Sequence, residues 1–122
     1  MSDHIFVQRI AIYAYHGLNP EEEKLGQRFF VSLDCELDTS TAGRNDDWNS
    51  TVCYGQMTEV VTRLGTNGRF HIIEALAEAV AQELLARFPR LEQVSVEVEK
   101  PSAPVPAIID GVSVRITRRR HG

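Results

Sequence analysis

The sequence predicts an α+β fold, in which two helices cover one face of a four-stranded antiparallel sheet in the order β-β-α-α-β-β. Three observations carry that expectation. Apolar residues alternate strictly at Phe29, Val31, Leu33, Cys35 and Leu37, the period of a half-buried strand. They recur at helical spacing from Ile73 to Phe88. Strand-like and helix-like runs are grouped rather than interleaved, which argues for α+β rather than α/β.

The elements follow in order. Residues 5–14 are rich in β-branched and aromatic types and read as the first strand. Tyr15-His16-Gly17-Leu18-Asn19-Pro20 breaks that pattern, and Glu21-Glu22-Glu23 is expected in the loop that follows. Gln27 to Leu37 is the second strand, with Ser32, Asp34 and Glu36 on its polar side. Residues 38–51 are polar and without period, and read as a long connection. Met57, Val60, Val61 and Leu64 mark a first helix ending at Gly65 to Gly68. A stronger helix spans about 72–88, with Ile73, Leu76, Ala77, Val80, Leu84 and Phe88 on one stripe, and Pro89 stops it. Val94, Val96 and Val98 give the third strand, and Val112, Val114 and Ile116 the fourth. The proline-bearing segment 101–106 between them joins a ladder poorly.

The 122 residues suit one domain, 1–122, large enough for a true core. A net charge of −4 gives no reason to expect nucleic acid, and Arg118-Arg119-Arg120 reads as a solvated tail. No apolar run approaches the roughly 20 residues of a membrane span. Two cysteines make no disulfide framework and no secretory signal is visible, so a cytoplasmic location is expected. The long, uncovered sheet edges favour a homo-oligomer.

His4, His16, His71 and His121 show no metal-ligand spacing, and no metal is expected. Cys53 near a helix start could favour a thiolate, but a small packing residue is the simpler reading. Glu74 in the first turn of the second helix is a helix-start charge. It could equally accept two parallel hydrogen bonds from an amidine-like edge, such as that of a pterin or guanine. Tyr54 could stack on a flat heterocycle or move a proton, or simply pack at a helix entry. Lys100 is one of two lysines beside eleven arginines, at a strand exit before Pro101. Arginine cannot serve as a base, whereas lysine adjusts its pKa to its surroundings.

In order and at nearly constant spacing, the chain contains Tyr15-His16-Gly17, Glu22, Gly26-Gln27, Val52-Cys53-Tyr54-Gly55, Ile73-Glu74-Ala75-Leu76-Ala77 and Glu99-Lys100-Pro101. This pattern, over about residues 4–118, resembles the dihydroneopterin aldolase family. A local departure is Asn49-Ser50-Thr51-Val52, where an acidic residue is expected near Ser50. The resemblance implies the tunnelling fold, whose subunits join sheets into a ring, and homo-octamers with active sites at subunit interfaces. It implies no cofactor. By position it implies that Lys100 is the catalytic acid/base and that Glu74, with the Ile73 backbone, anchors the pterin. It assigns Glu22 to the substrate's side-chain hydroxyls and Tyr54, from a neighbouring subunit, to substrate binding and proton transfer. The implied reaction is retro-aldol cleavage of 7,8-dihydroneopterin in folate biosynthesis, with epimerisation at C2′ alongside. Two alternatives remain from the residues: a dihydroneopterin or dihydroneopterin-triphosphate epimerase, and a non-catalytic pterin- or purine-binding module.

Overall fold

The computed structural model describes residues 2–120; Met1, His121 and Gly122 lie outside it, so His121 is not placed. Four strands form one antiparallel sheet in the order of the chain: β1 (Asp3–Ala14), β2 (Gln27–Leu37), β3 (Gln93–Lys100) and β4 (Val112–Arg119). Between β1 and β2 lies a short helix, α1 (Pro20–Leu25). Between β2 and β3 come α2 (Ser40–Asn45), a 3₁₀ turn at Trp48–Ser50, and the two long helices α3 (Tyr54–Asn67) and α4 (Ile73–Arg87).

The core lies between one sheet face and the long helices. Alternation sends Phe29, Val31, Leu33, Cys35 and Leu37 inward from β2 and Val94, Val96 and Val98 inward from β3, all fully or almost fully buried. The stripe from Ile73 to Phe88 meets them. α3 packs on β1, and α4 packs on β3, β4 and α3. Burial pushes the Cys35 thiol up to about 12, which makes it an inert core group.

β1 needs a correction to simple alternation. Its inward apolar residues are Ile5 and Val7, then Ile10, Ile12 and Ala14, so the parity changes midway. A β-bulge between Val7 and Ile10 absorbs the change and keeps both runs facing the core. Arg9 adopts φ 52° there and donates its N–H to Ser32 Oγ at 3.0 Å. Its guanidinium sits 3.9 Å above the Phe30 ring, with Nε 3.3 Å from Glu99.

Three expectations fail locally. Glu21 to Glu23 lie in α1 rather than a loop, because Pro20 opens the helix and Glu22 reaches back to the Asn19 N–H at 3.2 Å. The connection 38–51 is not structureless. Asp38 accepts the Ser40 N–H at 2.8 Å and Asp47 accepts the Asn49 N–H at 3.0 Å, and these bonds shape α2 and the 3₁₀ turn. The arginine run is not a solvated tail. Arg118 and Arg119 belong to β4, Arg118 grips Glu78 at 2.7 Å, and Arg120 donates to the Leu91 and Phe88 carbonyls, both at 2.8 Å.

Candidate active site

Lys100 is the last residue of β3 and shares its parity with Val94, Val96 and Val98. Alternation therefore aims it toward the helix-covered side, while Glu99 points to the open face and meets Arg9. Lys100 lies beyond the end of the apolar core, where its Nζ reaches Glu22 Oε2 at 2.5 Å. Lysine and carboxylate are only 14% and 7% exposed.

Glu22 is held from three sides. Besides Lys100, it accepts the Asn19 N–H and, at 3.1 Å, the Nε2–H of Gln27. The inward parity of β2 delivers Gln27, and its Oε1 is a buried atom without a partner among the described residues. Gly17, with φ 145°, lies so close that any Cβ there would collide with the Glu22 carboxylate, so only glycine fits. Burial pushes the Glu22 carboxyl up, yet Lys100, the Asn19 N–H and Gln27 together hold it below the usual carboxylate range.

An open cleft of about 280 Å³ begins at this pair. Leu18 and Asn19 give one stretch of its wall, His71 to Glu74 another, and Ala103, Pro104 and Val105 a third. Glu74 stands exposed at the second position of α4, where unpaired helix N–H groups favour an anion. The structure thus brings together Glu22, Ile73, Glu74 and Lys100. It does not bring Tyr54 to them: that residue opens α3, is 69% exposed and lies outside the cleft lining. Its exposure removes the helix-entry packing role. Cys53, the N-cap of α3, is half-buried rather than fully buried.

A larger concavity of about 720 Å³ lies on the open face of the sheet. Its charges are satisfied in pairs, Arg9 with Glu99, Arg115 with Glu97 and His4 with Asp34, which makes it a poor place for chemistry. Among the described residues, no group of three or more His, Cys, Asp or Glu is placed to hold a metal.

Residue reading missed three participants. Gln27 had no role beyond a strand start and a place in the Gly26-Gln27 motif, and His71 was read only as a histidine without metal spacing. His16 is fully buried, and burial lowers its pKa. It accepts the Phe70 N–H through Nδ1 at 2.9 Å, which leaves Nε2 to donate to the Gly65 carbonyl at 2.8 Å. Only its place between Tyr15 and Gly17 hinted that it was special.

A lysine–carboxylate pair kept from water shares this cleft with a carboxylate at a helix start, on a four-stranded antiparallel sheet covered by two long helices, the architecture of a tunnelling-fold enzyme. Comparison with known proteins makes this specific. The family model described as FolB, dihydroneopterin aldolase, matches residues 5–117, and the chain belongs to that family. It is 52% identical over 120 residues to the dihydroneopterin aldolase of Methylorubrum extorquens, covering 98% of this chain and 92% of that one. Identity to the Bacillus subtilis dihydroneopterin aldolase is 38% over 118 residues, covering 97% and 98%. The crystal structure of E. coli dihydroneopterin aldolase in complex with neopterin matches with a TM-score of 0.86 at 28% identity, covering 95% and 98%.

Proposed function

We infer that this chain, as a dihydroneopterin aldolase, cleaves 7,8-dihydroneopterin with Lys100 as proton carrier. The observation that best supports the role of Lys100 is its buried contact with Glu22, in a cleft whose lining also carries Glu74. The pterin's N3–H and 2-amino group pair with the Glu74 carboxylate, and the Ile73 backbone lies beside them. The trihydroxypropyl chain then extends toward Glu22 and Lys100.

A proton leaves the 2′-hydroxyl, the C1′–C2′ bond breaks, and C2′ departs as the aldehyde carbon of glycolaldehyde. The bonding electrons pass into the C6=N5 imine of the substrate, which serves as the electron sink. Protonation of the resulting enamine at C1′ gives 6-hydroxymethyl-7,8-dihydropterin. A group that both takes and returns a proton suffices for this sequence. Lys100 takes up the 2′-hydroxyl proton as the free amine, and Glu22 stabilises the ammonium so formed until the proton is returned to C1′. Re-addition of C1′ of the same intermediate to the opposite face of the glycolaldehyde carbonyl gives the C2′ epimer.

Tyr54 acts in the site of a neighbouring subunit of a homo-oligomer, a tetramer ring or an octamer. Its exposure away from its own cleft supports this, as do β1 and β4, which are edge strands of the sheet. The cytoplasm is the proposed location, in keeping with the free Cys35 and Cys53. Among the described residues, no helix is long and apolar enough to cross a membrane.

The test incubates purified protein with 7,8-dihydroneopterin, with and without chelator, and follows glycolaldehyde and the pterin products by chromatography. Chelator-insensitive release of glycolaldehyde is expected. Epimer formed without glycolaldehyde would favour the epimerase reading, and binding without either product the non-catalytic one. Mixing Lys100→Ala with Tyr54→Phe protein, unfolded and refolded together, should restore part of the activity if the site is shared. Absence of recovery would reject the shared site.

A further inference from the structure

We propose that His16 and Arg69 are positioning residues for the reaction, forming a clamp that fixes the separation of the two cleft walls. The proposal rests on the aldolase reading above and concerns residues outside the cleft lining.

Both walls depart from one junction. One wall follows Tyr15-His16-Gly17 and continues as Leu18, Asn19 and Glu22. The other follows Arg69-Phe70 and continues as His71, Ile72, Ile73 and Glu74. These two short segments are laced together. The Gly17 N–H donates to the Phe70 carbonyl at 3.0 Å, and the Phe70 N–H donates to His16 Nδ1 at 2.9 Å. The Arg69 guanidinium donates to the Tyr15 carbonyl at 2.9 Å and the Gly17 carbonyl at 2.5 Å, and its Nε lies 3.6 Å from Glu23 on α1. His16 adds a third element through the Gly65 carbonyl near the end of α3. Its ring is wedged between Phe29 and Phe70, with centroids 5.3 and 5.4 Å away.

Among the described residues, the side chains of His71 to Glu74 make no hydrogen bond that would tie this wall in the same way. α4 has no side-chain cap at its start, since its N-cap position is Ile72. Core packing of Ile73, Leu76 and Ala77 seats α4 on the sheet, and the ties at Arg69 and Phe70 fix the chain that enters it. Substrate held at Glu74 and cleaved at Lys100 must span a fixed distance, and an error of about 1 Å in such a distance can cost on the order of 100-fold in rate. The clamp supplies that constraint. His16 does so as a neutral imidazole, because only an unprotonated Nδ1 accepts the Phe70 N–H.

Two half-clamp variants separate positioning from general stability. In His16→Asn the amide oxygen can stand where Nδ1 stood and accept the Phe70 N–H, but the bond to Gly65 is lost. In His16→Gln the amide can reach the Gly65 carbonyl, but the Phe70 N–H loses its partner. Arg69→Gln, nearer the surface, removes the guanidinium fork if both core variants fail to fold. The measurements are kcat, KM, pterin affinity and thermal midpoint, each on folded protein.

We expect kcat/KM to fall about 10- to 100-fold in His16→Gln and Arg69→Gln, with KM and pterin affinity carrying much of the loss. His16→Asn should retain most of kcat/KM even where its thermal midpoint falls as far as that of His16→Gln. Folded variants with kcat/KM within about threefold of the parent, or losses that track the thermal midpoint alone, would overturn the clamp. A Lys100→Ala control separates this from the aldolase reading: its turnover tests that reading and is independent of the clamp.

Discussion

Two ion pairs in this chain have nearly the same length and opposite meanings. Lys100 meets Glu22 at 2.5 Å, and Arg118 meets Glu78 at 2.7 Å. The first pair is 14% and 7% exposed, the second 40% and 41%. Arg118 docks the last strand onto α4 with a bidentate fork, in water and with a group that never gives up its proton. Lys100 sits where water is scarce, on a side chain that can give up a proton, beside an open cleft. Distance alone does not separate the two pairs; burial, the identity of the cation and an adjacent space do.

The largest expected effect comes from breaking the buried pair. Lys100→Ala should lower glycolaldehyde release by about 100- to 10,000-fold while pterin affinity, read by fluorescence titration, changes little. Turnover close to the parent's would reject Lys100 as proton carrier. The same substitution strands the Glu22 charge and should cost about 3–5 kcal/mol by urea unfolding. Glu74→Ala comes next and should act on binding, weakening affinity roughly 10- to 100-fold through loss of charged hydrogen bonds. Unchanged affinity would remove its anchoring role.

A pH series sharpens the contrast further. The Glu22 carboxyl is depressed in the folded state, so its stabilisation is complete above the ordinary value of 4.5 and disappears as pH falls through the lower folded value. Urea midpoints measured from pH 6 downward should fall less steeply for Glu22→Gln than for the parent. Parallel curves would mean that Glu22 is not the group being titrated. The smallest effect is expected at the exposed pair: Arg118→Ala should cost less than about 1 kcal/mol and leave turnover intact. A loss as large as that from Lys100→Ala would show that the two pairs are not so different.

Much of the fold was legible because burial imposes a period on the chain. β2 was read with its observed ends, and α4 within a residue at each end, since every second or every third-to-fourth residue must be apolar there. The bulge in β1 was equally present in the sequence as a change of parity after Val7, although a run of β-branched residues concealed it. α1 was missed because its six residues carry almost no apolar signal and form through Pro20 and the capping of Glu22. The arginine run looked like a tail because charge implies solvent until a partner such as Glu78 is in place. The family pattern contained Glu22, Ile73, Glu74 and Lys100, which the structure places on one cleft, and it also contained His16 and Gln27, to which it gave no role.

The sequence by itself determined which residues face the core, where the long elements start and stop, and that Lys100 leaves β3 on the helix-covered side. Those properties depend on neighbours a few positions apart, for which side-chain type and period suffice. Only the tertiary structure decided that Lys100 meets Glu22, that Gly17 must be small to admit that carboxylate, and that His16 joins the two walls of the cleft. Each of those contacts closes a long loop, and its geometry is set by the sheet register and by helix packing rather than by any local preference.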